Sequence, residues 1–345
     1  MVFDIDPRYK IIAGWLFVMV AMVLAMVVLG GVTRLTHSGL SMVEWRPITG
    51  WLPPLGDVQW QAVFDKYQQS PEFRKVNAHM DLAGFKSIFW LEFLHRLWGR
   101  FIGIVFFVPF VFFIWRRWID RALAQKLLVM FVLGGLQGLM GWYMVKSGLV
   151  DRPDVSQYRL TAHFGLALVI IGYMLWVALG LLFTGAQDVT TGFRRFAVVI
   201  AGWAFLTALS GAFVAGIDAG FAYNTFPLID GAIVPQGLYP LSPWFISAFE
   251  DILTVQFNHR VLAECLVVLV AVLWFQARYF VLDPRSRRAV NFLAGIVMAQ
   301  ALLGIVTLLL IVPVPLAAAH QAGAVFVFMA ALWVAREMQA EARSA

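Results

Sequence analysis

Eight long apolar runs, centred near residues 21, 105, 136, 171, 207, 268, 301 and 326, alternate with polar stretches along the chain. Each run approaches the roughly 20 residues that a helix needs to cross a bilayer core. The runs are unbroken and do not alternate in and out, which is the pattern of membrane helices and not of a β-barrel. The predicted fold is therefore an all-α integral membrane protein with eight transmembrane helices, and the lipid bilayer is its first partner. The polar segment from Asp57 to Lys86 predicts short amphipathic helices lying on the membrane surface. FAYNTFPLIDG and SPWFISAFEDIL play that part further along.

Composition agrees with this. Hydrophobic residues make up 61% of the 345 residues and charged residues only 13%, which excludes a water-soluble globule of this size. The net charge of +6 is a matter of topology, not of nucleic-acid binding. Arg8 and Lys10, the RRWIDR run, Arg194 with Arg195, the cluster from Arg278 to Arg288, and Arg336 with Arg343 fall on one side if eight helices alternate. By the positive-inside rule that side is the cytoplasm, and both termini face it. The first helix reads as retained, with no transit peptide before it. Cys265, the single cysteine, reads as a small core residue.

The chain also repeats itself. EFLHR at 92–96 recurs as QFNHR at 256–260, LQGLMG at 136–141 as AQALLG at 299–304, and TAHFGLA around His163 as AAHQAGA around His320. A weaker echo relates GGVTRLTHSGLSMVEWRPITG, from Gly30, to SGAFVAGIDAGFAYNTFPLIDG, from Ser210. Matches in the same order predict two tandem, pseudo-symmetric four-helix bundles, residues 1–185 and 186–345, with equal orientation in the membrane. The polar stretch from Thr184 to Arg195 is the expected linker.

Four of the six histidines, His95, His163, His259 and His320, fall at repeat-matched places, in the outer first turns of the second, fourth, sixth and eighth helices. Polar groups inside a bundle are costly and mark function. Paired imidazoles from facing helices are one way to hold haem iron through both axial positions. Zinc needs more ligands than each pair offers, and copper favours cysteine or clustered methionine. Haem brings its own four nitrogens and needs an aromatic-lined slot, which 30 Phe and 14 Trp can supply. Arg96 and Arg260, each next to a histidine, are candidates for the haem carboxylates or ordinary interfacial anchors. His37 and His79 lack a repeat partner and read as loop residues.

The two copies differ at one chemically telling place. Glu92 shares a helix face with His95, whereas Gln256 stands at the matching position of the second half. A carboxylate can take or give protons and an amide cannot, so the first bundle is expected to hold the haem on which chemistry occurs. An i,i+4 ion pair of Glu92 with Arg96 is the alternative use of the same residue.

At these motifs, from about Gly14 to Arg336, the chain resembles the haem A synthase family, in its alphaproteobacterial and mitochondrial subgroup. The resemblance implies that His95 and His163 bind haem O as substrate and that His259 and His320 bind a haem b cofactor. It implies that Glu92 is catalytic. The implied reaction oxidises the C8 methyl of haem O to a formyl group, through successive hydroxylations, giving haem A for terminal oxidase. Transient contact with haem O synthase and with cytochrome oxidase assembly factors, a homo-oligomer, and the bacterial inner membrane with haem sites near the periplasm belong to the same expectation. The cysteine pair found in the outer loops of other branches is missing here.

A dihaem membrane cytochrome b is the main alternative. It would explain four histidines, but not Glu92 opposed by Gln256, and it would usually set its haems at two depths. A transporter on parallel repeats is less favoured, because Pro109 has no counterpart in the second half.

Overall fold

The structure is a computed structural model that describes residues 5–46, 49–149, 153–183 and 187–339. Among the described residues there are eleven α-helices: α1 Pro7–Leu35, α2 Asp57–Gln68, α3 Pro71–Lys75, α4 Leu82–Trp115, α5 Arg121–Gly148, α6 Gln157–Leu182, α7 Thr191–Gly216, α8 Ser247–Glu250, α9 Ile252–Gln276, α10 Pro284–Leu309 and α11 Val314–Glu337. Eight of them (α1, α4, α5, α6, α7, α9, α10 and α11) are long and apolar enough to cross a membrane. No strand occurs among the described residues; one isolated bridge joins Ile229 and Ala232.

Polar residues at the span boundaries set where the helices begin. Asp81 accepts from Gly84 N at 2.8 Å, Asp120 from Leu123 N at 2.7 Å, Thr190 from Phe193 N at 3.3 Å and Asp251 from Thr254 N at 2.8 Å. Each satisfies an amide that the helix leaves unpaired, which typically contributes about 1 kcal/mol. Asp81 also corrects one expectation. The polar surface segment ends at Asp81, not at Lys86, and α4 begins at Leu82, a little more than one turn earlier than expected. His95 consequently lies deep in α4, while His163, His259 and His320 lie in the second or third turn of α6, α9 and α11. The last three agree with the expected outer first turns, and His95 alone lies further in.

The chain divides into two compact units, residues 21–170 and residues 1–20 with 171–345, so the divisions fall within α1 and α6. The expected boundary between residues 185 and 186 lies outside the described residues, as do Thr184 at the head of the linker and residues 47–48 of the WRPITG motif. Arg194 and Arg195, at the linker's other end, already belong to α7.

In the unit of residues 21–170, α2 packs on α4 through Trp60, Phe64, Tyr67, Phe85, Phe89 and Phe93. Trp60 meets Phe89 edge-on at 5.0 Å and Tyr67 stacks on Phe85 at 5.1 Å. Such pairs add about 0.5–1.5 kcal/mol beyond the area they bury. This cap fixes the first turns of α4. Further down, the Trp98 indole donates to the Met22 carbonyl of α1 at 2.9 Å.

In the other unit, α7, α9, α10 and α11 close into a four-helix bundle. Small residues on α7 (Ala197, Ala201, Ala204) let Leu266, Leu273, Leu293 and Val334 pack close to its backbone. At one end Glu337, almost fully buried, accepts from Arg285 Nε at 2.8 Å and from Trp333 Nε1 at 2.9 Å. Its charge is thus paired and hydrogen-bonded, which a buried carboxylate requires.

Candidate functional site

Each of the four matched histidines lies against a glycine of a neighbouring helix. A Cβ placed on Gly30 would meet His95 Cε1 at 2.9 Å, on Gly141 His163 Cε1 at 3.1 Å, on Gly211 His259 Cε1 at 3.1 Å, and on Gly304 His320 Cε1 at 2.7 Å. Only a residue without a side chain lets the imidazole lie flat on the adjoining backbone. Packing therefore matches Gly30 to Gly211, one position away from the register of the sequence echo. His95 and His163 interact electrostatically within one unit, and His259 and His320 within the other. The structure thus brings the four together as two pairs, each half-buried.

Hydrogen bonds orient the rings. Ser210 Oγ donates to the Thr207 carbonyl at 2.8 Å and lies 2.7 Å from His259 Nδ1. Its proton being used, the hydroxyl can only accept, so His259 carries its proton on Nδ1 and keeps the Nε2 lone pair for a metal. Gln300 Nε2 donates to the His320 carbonyl at 2.8 Å and sits 3.0 Å from His320 Nδ1; Gln137 Nε2 donates likewise to the His163 carbonyl at 3.0 Å. Gly323 is needed here too, since a Cβ there would run into Gln300 Oε1.

Beside each pair a loop is held by matched side chains of opposite polarity. Glu92, 3% exposed, accepts from Ser41 Oγ and from the Met42 amide, both at 2.8 Å, and from Arg96 Nη2 at 2.5 Å. Arg96 also donates to the carbonyls of Glu44 at 2.8 Å and Met42 at 2.9 Å. In the second copy, Gln256 Nε2 donates to the carbonyls of Ala219 at 2.8 Å and Ala222 at 2.5 Å, while its Oε1 accepts from Arg260 Nη2 at 2.8 Å. Arg260 donates onward to Thr225 at 2.8 Å and Tyr223 at 2.7 Å. One loop offers donors to an anion and the other offers acceptors to an amide, so the difference between Glu92 and Gln256 is built into the backbone around them. The ion pair with Arg96 and the placement of Glu92 one turn before His95 occur together.

The residues present fit haem. His95 Nδ1 and His163 Nδ1 are buried with no hydrogen-bond partner, a costly state for polar atoms inside a protein. The glycine cradles hold all four rings in place. Among the described residues no three His, Cys, Asp or Glu side chains converge as they would around an ion held by protein ligands alone. Next to Arg96, a cavity of about 190 Å³ is lined by Met42, Trp45, Trp142 and Lys146 among others. His37 and His79 are exposed loop residues, as their lack of repeat partners suggests, and Cys265 is a half-buried free thiol.

Sequence reasoning overlooked Ser41, Ser210 and the glycines as parts of the site. Ser210 and Gly211 stand at the head of a repeated segment, and that was the available signal.

Fold and site together define a polytopic helical membrane protein built around a duplicated histidine–glycine site. The sequence profile of COX15-CtaA, described as cytochrome oxidase assembly protein, matches residues 13–332. A protein of Nitrosospira multiformis named heme A synthase is 53% identical over 334 residues, covering 96% of this chain and 94% of its own. One of Parvibaculum lavamentivorans with the same name is 50% identical over 328 residues, covering 95% and 94%. The human protein named heme A synthase COX15 is 44% identical over 341 residues, covering 96% of this chain and 83% of its own. The chain belongs to the COX15-CtaA family of cytochrome oxidase assembly proteins.

Proposed function

We propose that the chain is a haem A synthase, an oxidoreductase that converts the C8 methyl of haem O to the formyl group of haem A. The observation that carries this reading is the opposite polarity of the Glu92 and Gln256 nodes in two otherwise matched histidine sites. A symmetric dihaem cytochrome b has no use for that difference. The names borne by relatives at up to 53% identity point the same way.

In this reading His95 and His163 would bind and orient haem O, and His259, through Nε2, would hold haem b together with His320. Haem b, when bound, supplies one-electron redox chemistry. Oxidation of a methyl group with water as oxygen source releases protons. Glu92, one turn from His95 and held by three donors, takes a proton near the substrate. Arg96 and Arg260 hold the loops that border the two sites and would offer positive potential to haem carboxylates. The cap of α2 on α4 keeps water from the first site.

The family points to the bacterial inner membrane, and the distribution of Lys and Arg favours both termini on the cytoplasmic side with both histidine sites toward the periplasm. Contacts with the enzyme that makes haem O and with oxidase assembly factors, and assembly with further copies, belong to the same proposal.

The test is haem A formation by Glu92→Gln and Glu92→Asp proteins with haem content measured in parallel. Retained haem with a rate reduced by about 100-fold or more in Glu92→Gln is the expected result. Unchanged turnover removes Glu92 from the mechanism.

A further inference from the structure

The two sites also differ in what stands behind the histidine of their first matched motif. On α7, Ser210 precedes the glycine that cradles His259, and its hydroxyl lies 2.7 Å from His259 Nδ1. On α1, Leu29 precedes the glycine that cradles His95. The rings sit alike in both copies. A Cβ on Gly30 would lie 2.9 Å from His95 Cε1 and 3.5 Å from its Nδ1, and one on Gly211 would lie 3.1 Å and 3.7 Å from the same atoms of His259. Nδ1 of each ring therefore faces the same stretch of neighbouring helix, and Leu29 stands where a hydroxyl would reach it. Leucine offers no polar atom, and His95 Nδ1 is buried with no hydrogen-bond partner among the described residues.

We infer that Leu29, by leaving His95 without an acceptor, makes the first site a releasing site, whereas Ser210 makes the second a retaining one. The inference rests on the proposed assignment of haem O to His95 and haem b to His259. A neutral imidazole that binds iron through Nε2 must carry its proton on Nδ1. In the second site Ser210 accepts that proton, its own being committed to the Thr207 carbonyl at 2.8 Å. Such a partner fixes the tautomer and makes the ring a stronger ligand. In the first site the same tautomer leaves a buried N–H unpaired, so ligation is penalised and the bond to iron is weaker. The reaction requires this difference. A substrate site has to discharge its product at every turnover, and a cofactor site must not. Leu29 acts through His95 as a positioning residue and takes no part in the oxidation itself.

The experiment uses the full chain in lipid, loaded with haem O and haem b and mixed with excess apomyoglobin as haem acceptor. The haem type still on the chain is identified at timed intervals for wild type, Leu29→Ser, Leu29→Ala and Ser210→Ala. Wild type should lose haem O before haem b; the reverse order overturns the inference. A serine at this place can bond a carbonyl of its own helix and accept from Nδ1, as Ser210 does. Leu29→Ser should therefore slow haem O loss by about tenfold or more and leave haem b loss unchanged. Leu29→Ala, cut back without gaining a hydroxyl, should not slow it. Equal haem O loss from the two Leu29 variants contradicts the assignment of release to the missing acceptor. Should Leu29→Ser fail to assemble, Ser210→Ala decides: haem b loss about tenfold faster supports the inference, and unchanged haem b loss overturns it. His95→Ala separates the two levels. If it carries no haem O while Leu29→Ser releases haem O as wild type does, this inference alone fails; if it keeps haem O, the reading beneath it fails as well.

Discussion

His320 rests on Gly304 so closely that a single added methyl would lie 2.7 Å from its Cε1 atom. The ring belongs to α11 and the glycine to α10, so the contact fixes a side chain by fixing the distance between two backbones.

Gly304→Ala should consequently displace the His320 ring and reduce haem b occupancy, with the chain still inserted in the membrane. Gly295→Ala is the control, because a Cβ there meets nothing within 4 Å on the same helix. Haem content per purified chain checks both; equal content in the two variants contradicts the packing argument.

Ser210→Ala should weaken the second site without unfolding it. The hydroxyl that fixes the His259 proton on Nδ1 is lost, and removal of such an orienting partner typically costs about 10–100-fold in affinity for the bound group. Titration of haem b into the purified protein measures the change.

Gln256→Glu should destabilise the second unit. Its amide faces the Ala219 and Ala222 carbonyls. A carboxylate there meets two acceptors and loses two donors, at a cost of about 1–3 kcal/mol. Thermal unfolding should show a lowered midpoint, with no gain of oxidation at the second site. The same polarity means that Glu92→Gln does not simply reproduce the second copy, because the first loop presents donors to that position.

Stability should also depend on pH through Glu72. Its folded pKa, raised by burial to about 7, exceeds that of an unfolded glutamate, so the folded chain binds the extra proton between the two values. Stability is therefore greatest below the unfolded value, falls as pH rises toward about 7, and levels off above it. The full effect is of order 3 kcal/mol at most. Glu72→Gln should raise the thermal midpoint relative to wild type at about pH 8 and change it little at about pH 4; no difference between the two pH values contradicts a buried, unpaired carboxyl.

Much of this architecture is legible in the sequence because it rests on local signals. Span number follows from run length, and the two histidine pairs follow from EFLHR against QFNHR and TAHFG against AAHQAG. The early start of α4 is not legible. Asp81 caps the helix, while Lys86 and Ser87 give its first turns a polar look until the α2 aromatics pack on Phe85 and Phe89. The Gly–His contacts are equally hidden, since they depend on the register between separate helices. The identity of Glu92 and Gln256 can be read directly, but the cause of their difference lies in which backbone groups the loops turn inward. Glu72 has neither a repeat partner nor a motif, and only burial reveals it.

Haem identification in purified wild type, His95→Ala and His259→Ala tests the central claim most directly. The account predicts haem b together with haem O or haem A in wild type. It predicts loss of the O or A type alone in His95→Ala and loss of haem b in His259→Ala. A colourless wild type, or a single haem type lost equally from both variants, contradicts it.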